Sequence, residues 1–202
     1  MLALRQVRPE DLQALYAISL ATGHEGGDAS HLHGDGRLIG HIYSAPYASL
    51  DPALVLVAVD AAGACGFAAG ALDTAAWEDR LEREWWPALR RRYADPGLVP
   101  MPSWTADQRR AFMIHHPART PPAVADGYPA HLHLNLLPRA QGRGLGPRLL
   151  AGWLDLAAPR GTAALHVAVN RANARAVGFW ERQGFAVLEG PPAGRTLWMG
   201  RG

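Results

Sequence analysis

The residues whose types and spacing point most directly to chemistry are Gln141-Gly142-Arg143-Gly144-Leu145-Gly146. Three glycines fall at alternate positions here, between an alternating apolar segment and an apolar helical pattern. Glycine lets the backbone turn sharply and come close to a ligand, and the N-terminus of a following helix offers unpaired N–H groups and the positive end of its dipole. The ligand expected of such a loop is a phosphate. Pro147 suits a first-turn helical position because its missing N–H has no partner there, so the donors must come from residues 141–146. Arg139, Arg143 and Arg148 place positive charge around the same spot. A glycine-rich loop alone reads equally well as a tight structural turn, and its spelling narrows the choice. A P-loop needs Lys and then Ser or Thr after its last glycine, where this chain has Pro147-Arg148. A dinucleotide-binding turn needs G-x-G-x-x-G and an acidic end to the next strand, where this chain has Asn170.

The spelling that remains is Q-x-x-G-x-G at Gln141, Gly144 and Gly146, with the related R-x-x-G-x-G at Arg139, Gly142 and Gly144. It resembles the acetyl-coenzyme A motif of the GNAT superfamily of N-acetyltransferases. Downstream, Asn173-x-x-Ala176-x-x-Phe179-Trp180-x-x-x-Gly184-Phe185 is similar to the N-x-x-A-x-x-F-Y-x-x-x-G-F ending of the same superfamily. The resemblance is strongest over residues 131–189. It implies an α/β (α+β) fold, with a central twisted sheet that is mixed but mostly antiparallel and flanked by helices, and acetyl-CoA as cosubstrate. It further implies that Leu136 and Leu137 give backbone groups to the pantetheine arm. The loop Gln141, Gly142, Arg143, Gly144, Leu145 and Gly146 would wrap the pyrophosphate, Asn170 and Asn173 would hydrogen-bond the cofactor, and Ala176, Phe179 and Trp180 would line its far side. Without the motif, Ala176, Phe179 and Trp180 read simply as the core face of a helix. Shorter segments, Ala45-Pro46-Tyr47, Cys65-Gly66-Phe67, Leu72-Asp73-Thr74 and Glu84-Trp85-Trp86-Pro87, resemble a bacterial branch related to the acetyltransferase-like C-terminal domain of O-GlcNAcase.

Acetyl transfer to an amine needs a held thioester, a neutral amine and donors for the developing oxyanion. The segment His131-Leu132-His133-Leu134-Asn135-Leu136-Leu137 alternates, so Leu132, Leu134 and Leu136 share one face of a strand and His131, His133 and Asn135 the other. Many relatives use a carboxylate as base, and this strand has none. His133 is the first candidate for the base and Asp73, at the end of a neighbouring hairpin strand, the second. A histidine in a strand also reads as a structural hydrogen-bonding group. Trp180 stands where the superfamily usually has a Tyr that protonates the departing thiolate, and an indole N–H is too weak an acid for that task. Tyr43, Tyr47 and Tyr128 are the candidate substitutes. His31, His33, His115 and His116 lack supporting Cys or carboxylate spacing, so no metal is expected.

These groups must be positioned by the rest of the chain. Residues 2–8 read as a first strand, and Arg8-Pro9-Glu10-Asp11 opens a helix reaching Ala21. Residues 22–36, rich in Gly, Asp and His, read as a mobile loop, followed by a short helix over residues 37–45. A hairpin follows, with strands at 54–60 and 65–73. Residues 74–130 form an insertion between the third and fourth strands, with helices expected over 77–93 and 105–114, and this insertion is expected to roof the acceptor pocket. The fourth strand, glycine loop and helix come next, then a strand at 164–169, the helix from Asn173, and two last strands around Gly190-Pro191-Pro192-Ala193-Gly194.

At 202 residues and 49% hydrophobic content the chain is expected to form one domain. Its net charge is +2, and all 20 basic residues are arginine. Arg90-Arg91-Arg92 reads as a helix end complementing its dipole, so no nucleic-acid partner is expected. No membrane partner is expected either, because the most apolar run, residues 54–72, is broken by Asp60 and glycines. The first residues lack the pattern of a secretory signal, which makes the cytoplasm the expected location. The single Cys65 reads as a small buried filler. The favoured activity is N-acetyl transfer by direct attack of the amine of a small molecule or peptide. Alternatives are an acetyl-CoA-binding module without efficient turnover and a protein-interaction role for the Trp-rich insertion. Glu25, Asp28 and Asp35 either attract a cationic amine or are solvated loop residues. The sequence carries no signal for oligomeric state.

Overall fold

The computed structural model describes residues 2–162, 164–189 and 194–202. Its sheet contains β1 (Ala3–Gln6), β2 (Val55–Asp60), β3 (Gly63–Ala71), β4 (Ala130–Leu136), β5 (Leu165–Asn170), β6 (Ala186–Val187) and β7 (Thr196–Arg201). The spatial order is β1-β2-β3-β4-β5-β7-β6, and every neighbouring pair is antiparallel except β4 and β5. This is the mixed, mostly antiparallel sheet that the resemblance implies. The turn expected between the last two strands lies, apart from Gly194, outside the described residues.

Helices cover both faces: α1 (Leu12–Ala21), α2 (Leu38–Tyr43), α3 (Ala45–Leu50), α4 (Thr74–Glu84), α5 (Trp86–Arg92), α6 (Ala106–His115), α7 (Pro122–Ala125), α8 (Leu145–Ala157) and α9 (Ala174–Arg182). Strand β2 shows why the sheet is sandwiched. Its Leu56 and Ala58 face the core under α8, while Val55 and Val57 face the core under α1 to α5, so the strand is apolar on both sides. Under α8, Leu149, Leu150 and Trp153 pack with Ala68 and Leu132. On the opposite face Leu15, Ile18, Leu38, Phe67, Trp77 and Leu81 form the second core.

Several boundaries differ from the sequence expectations for local reasons. The helix expected over residues 77–93 is two helices that break at Trp85, because Pro87 has no N–H to continue the ladder. The helix expected over 37–45 ends at Tyr43, and Ser44 (φ −142°) separates it from a second short helix that begins at Ala45-Pro46. The first strand is shorter than expected because Pro9 starts a 3-10 turn. The segment read as a mobile loop is tied down. The carboxylate of Asp107 on α6 accepts from His33 Nδ1 (2.7 Å) and from the N–H groups of Gly34 (2.9 Å) and Asp35 (3.1 Å).

The feature that positions the site is the short contact between β4 and β5. They pair only at Ala130 with Leu165 and His131 with His166. Meanwhile β4 stays on β3 as far as Leu136 opposite Gly66, and β5 stays on β7 as far as Asn170 opposite Thr196. The sheet therefore opens into a wedge beyond His131 and His166.

Trp153 is fully buried beneath this wedge, and its Nε1–H donates to the Leu54 carbonyl at 3.0 Å. Trp153→Ala is expected to cost about 3–5 kcal/mol, since it leaves a cavity and an unpaired buried carbonyl. Urea unfolding followed by circular dichroism measures it, and a loss under 1 kcal/mol, well below that ~3–5 kcal/mol, would show that α8 is not anchored there.

Candidate functional site

In β4 the N–H of Ala130 points at β5, donating to Ala164 (3.3 Å), whereas the N–H of Leu137 points at β3, donating to Cys65 (2.8 Å). By strand alternation the backbone groups of Leu132, Leu134 and Leu136 turn towards β5, which has moved away. The free strand edge therefore runs from Leu132 to the Leu136 N–H, which keeps Leu136 and leaves out the Leu137 N–H. Leu137 gives its N–H to β3, and the Leu136 carbonyl accepts from Gln141 Nε2 at 2.7 Å. Leu132, Leu134 and the Leu136 N–H carry the open edge.

The glycine loop follows at the end of β4. Gly142 and Gly144 have φ of +70° and +68°, so both are in the left-handed region where a side chain is strained. Gly144 is the N-cap of α8 and receives no side-chain cap. Among the described residues, none of the N–H groups from Gly142 to Gly146 donates to a loop carbonyl or a side chain. Arg143 and Arg148 are exposed and make no ion pair among the described residues, whereas Arg139 is turned away, paired with Asp60 at 2.9 Å. Leu145 is buried in the core, and Gly146 lets the Phe179 ring approach, since a Cβ there would sit 2.8 Å from it. Phe179 thus locks α9 onto α8 and does not face the wedge. Gln141 also acts within the protein: its Oε1 accepts from Arg175 at 2.6 Å, and Arg175 in turn donates to the Gly26 carbonyl at 3.2 Å.

The wedge opens into a cavity of about 600 Å³ lined by residues 132–135 of β4 and 167–170 of β5, and by Asn173, Ala176 and Trp180. Asn170 Oδ1 accepts from the Ala172 N–H (3.0 Å), and Asn173 Oδ1 caps α9 at the Ala176 N–H (3.1 Å). Only their amide NH2 groups are left for a ligand. Trp180 packs edge-to-face with Phe179 and Phe185. A second cavity of about 380 Å³ lies under the insertion and shares Tyr43, Leu132, His133, Ala168 and Thr196 with the first.

His133 stands at this junction, half-buried, its ring 5.4 Å from that of Tyr43 and 5.5 Å from that of Tyr47. Burial, with His166 nearby, pushes its pKa down to about 4. His131 is held neutral by burial and by a closed chain of hydrogen bonds. Tyr47 OH donates to its Nε2 (2.6 Å), its Nδ1–H donates to Thr74 Oγ1 (2.8 Å), and Thr74 donates to the Pro129 carbonyl (2.7 Å). Tyr47 is thereby committed, and Tyr128 gives its carbonyl to His166 Nδ1 at 2.6 Å. Of the three tyrosines, Tyr43 is the one facing both cavities, and its hydroxyl accepts from Arg110 at 3.2 Å. Asp73 is not brought to the site. It is exposed, lines neither cavity, and caps α4 by accepting from the Ala76 N–H at 2.9 Å.

One pair escaped the sequence reading. His33 lines the larger cavity, and its Nδ1 is held by Asp107, which fixes that nitrogen as the donor and leaves Nε2 as the acceptor. The two residues are 74 positions apart, and only the capping box at Thr105 and Gln108, which starts α6, hinted that Asp107 sits in an exposed first turn. Among the described residues no three His, Cys, Asp or Glu side chains gather as a metal-binding group, and no helix is long and apolar enough to cross a membrane.

Residues 32–185 match the acetyltransferase (GNAT) family, and the chain belongs to that family. The fold is also close to the crystal structure of SsHAT, with 34% identity, a TM-score of 0.90, and 99% of this chain and 97% of that one covered. More distant in sequence is the PaiA N-acetyltransferase from Thermoplasma acidophilum in complex with coenzyme A (15% identity, TM-score 0.60, 100% and 98% covered). So is yncA from Salmonella typhimurium with its cofactor acetyl-CoA (17% identity, TM-score 0.56, 100% and 93% covered). The last two share the fold.

His41 is buried, and its pKa, like that of His133, is pushed down to about 4, by burial and by Arg92. An imidazole that is neutral when folded binds fewer protons than its unfolded counterpart between pH 6.5 and about 4. Stability is therefore full above 6.5 and falls as pH drops through that window. Urea midpoints measured from pH 7 to 4 should decline accordingly, with a shallower decline in His41→Asn; a flat profile would show that these imidazoles protonate freely in the folded protein.

Proposed function

We propose that the protein is an acetyl-CoA-dependent N-acetyltransferase in which an acceptor amine attacks the thioester directly, without an acyl-enzyme. The observation that carries this reading is the wedge with its open β4 edge, ending in a helix N-terminus whose N–H groups are unpaired. The residues present fit the cofactor. The N–H groups of Gly142 to Gly146, with Arg143 and Arg148, suit a pyrophosphate, and the edge at Leu132 and Leu134 suits the amides of a pantetheine arm. Asn170, Asn173, Ala176 and Trp180 form the opposite wall. The relatives solved with coenzyme A or acetyl-CoA support the same assignment. Cys65, fully buried and with its thiol pKa raised by burial, is no candidate for an acyl carrier.

The thioester supplies an acyl carbon already activated towards amines. The chain's own groups handle protons. His133 is neutral at physiological pH and can orient the amine through a hydrogen bond, but with a pKa near 4 it holds a proton poorly. His33 is the other candidate base: Asp107 holds its Nδ1–H and leaves Nε2 as the acceptor on the cavity wall. Tyr43, its hydroxyl bonded by the Arg110 cation, can supply the proton that the indole of Trp180 cannot. The insertion, whose α4 and α6 line the smaller cavity, forms the roof over the acceptor. Membership of the narrower O-GlcNAcase-like branch is part of this proposal and rests on the short sequence segments that include Tyr47 and Thr74.

Calorimetric titration with acetyl-CoA should show binding that Gly144→Asp abolishes, since a carboxylate there repels the pyrophosphate. Absence of wild-type binding would sink the reading. Tyr43→Phe should lower kcat by about 10²-fold with little change in KM, in the range of general acid–base catalysis. His33→Gln should lower kcat/KM by about 10²-fold, in the range of general acid–base catalysis; an unchanged kcat/KM would return the base to His133 or to water.

A further inference from the structure

The smaller cavity carries more information than its position. Its walls are aromatic: Tyr43, Tyr47, Trp77, Trp86, Phe112 and Trp198 line it, and Tyr47 stacks on Trp77 with ring centroids 4.5 Å apart and planes 20° apart. Leu81 and Met113 add apolar surface. Two carboxylates reach it, and both are already engaged. Glu82 is held by Arg90 through both of its oxygens. Glu78 accepts from the Thr120 N–H (2.9 Å) and has Arg119 at 3.9 Å, itself paired with Asp79 at 2.6 Å. His116, at the rim, is paired with Asp95 at 2.9 Å. A second ammonium group entering this cavity would find one partly engaged carboxylate, Glu78, whereas a flat ring would find faces and edges on several sides. At about 380 Å³ the space lies at the small end of the ~300–1,000 Å³ range of ligand pockets. It adjoins the wedge, with Tyr43, Leu132, His133 and Ala168 as walls common to both, so a ring held here lies next to the open β4 edge and its amine needs only a short tether.

We propose that this cavity selects primary amines carried on a one- or two-ring aromatic body, in preference to polyamines and to the alkyl amine of a lysine side chain. The amine's reaction rests on the acetyl-transfer reading above, and its binding rests on the cavity alone. In the reaction the amine nitrogen forms the new bond to the acyl carbon and gives up a proton. The C–S bond breaks, and the sulfur leaves with the electron pair and gains a proton.

The test uses the full chain with tryptamine, 2-phenylethylamine, hexylamine and cadaverine. Binding to the coenzyme A-saturated protein is measured by calorimetry, and turnover by thiol release from acetyl-CoA. The expected result is that both arylalkylamines bind, with kcat/KM at least tenfold above that of hexylamine or cadaverine. Ala118→Trp, at an exposed position on the cavity wall, should weaken arylalkylamine binding at least tenfold and leave coenzyme A binding unchanged. Arylalkylamine binding without thiol release would support the pocket while overturning the acetyl-transfer reading. Equal or better use of cadaverine or hexylamine, or no arylalkylamine binding to protein that does bind coenzyme A, would overturn the pocket.

Discussion

The early parting of β4 and β5 governs the rest of the molecule. A parallel pair inside a sheet ordinarily continues for the length of its strands, because unpaired backbone groups away from water cost about 1–3 kcal/mol each. Here pairing stops after two residue pairs, and the strands are held apart from outside, β4 by β3 and β5 by β7. The edge of β4 is left wanting a partner with the hydrogen-bonding character of a peptide. A ligand arm containing amides meets that need without being a strand, which is why the opening is better understood as a binding surface than as a defect in the sheet.

Around that opening the chain commits its polar groups to one another and leaves only a few uncommitted. Thr74, Tyr47 and His131 form a closed chain of bonds, Asn173 caps α9 with its carbonyl oxygen, and Gln141 is held between Leu136 and Arg175. Asn135, facing the cavity, donates to Thr22 (2.7 Å), whose hydroxyl donates to the Ile18 carbonyl (2.7 Å) and so ties β4 to α1. Among the described residues, what stays available is small in number: the loop N–H groups, the open β4 edge, two arginines, the amide NH2 groups of Asn170 and Asn173, His33 Nε2, the His133 imidazole and the Tyr43 hydroxyl. Function is read from that remainder.

The glycine loop, the alternation of β4 and the helix from Asn173 were legible in the sequence because each is local: spacing alone sets the turn, the face and the helical period. Which loop side chains would be used internally was not legible. Arg139 looked equivalent to Arg143, but its pairing with Asp60 depends on the hairpin being folded against the loop. Asp73 looked like a base beside the strand; as the residue before a helix, a capping role was also written in its position, and the cap won. The His33–Asp107 contact joins segments whose proximity only the folded insertion creates. Leu137 misled for a simpler reason, a one-residue alternation that sends its N–H to β3.

Every side-chain cation that holds this structure together, from Arg175 between the two loops to Arg110 on Tyr43, is a guanidinium, for the chain contains no lysine at all. A guanidinium stays protonated in proteins and is a poor nucleophile. The protein therefore exposes no side-chain amine to the reactive acyl group it is proposed to hold, and its clamps keep their charge however much acyl donor surrounds them. A catalyst of amine acylation built this way is chemically indifferent to its own reagent.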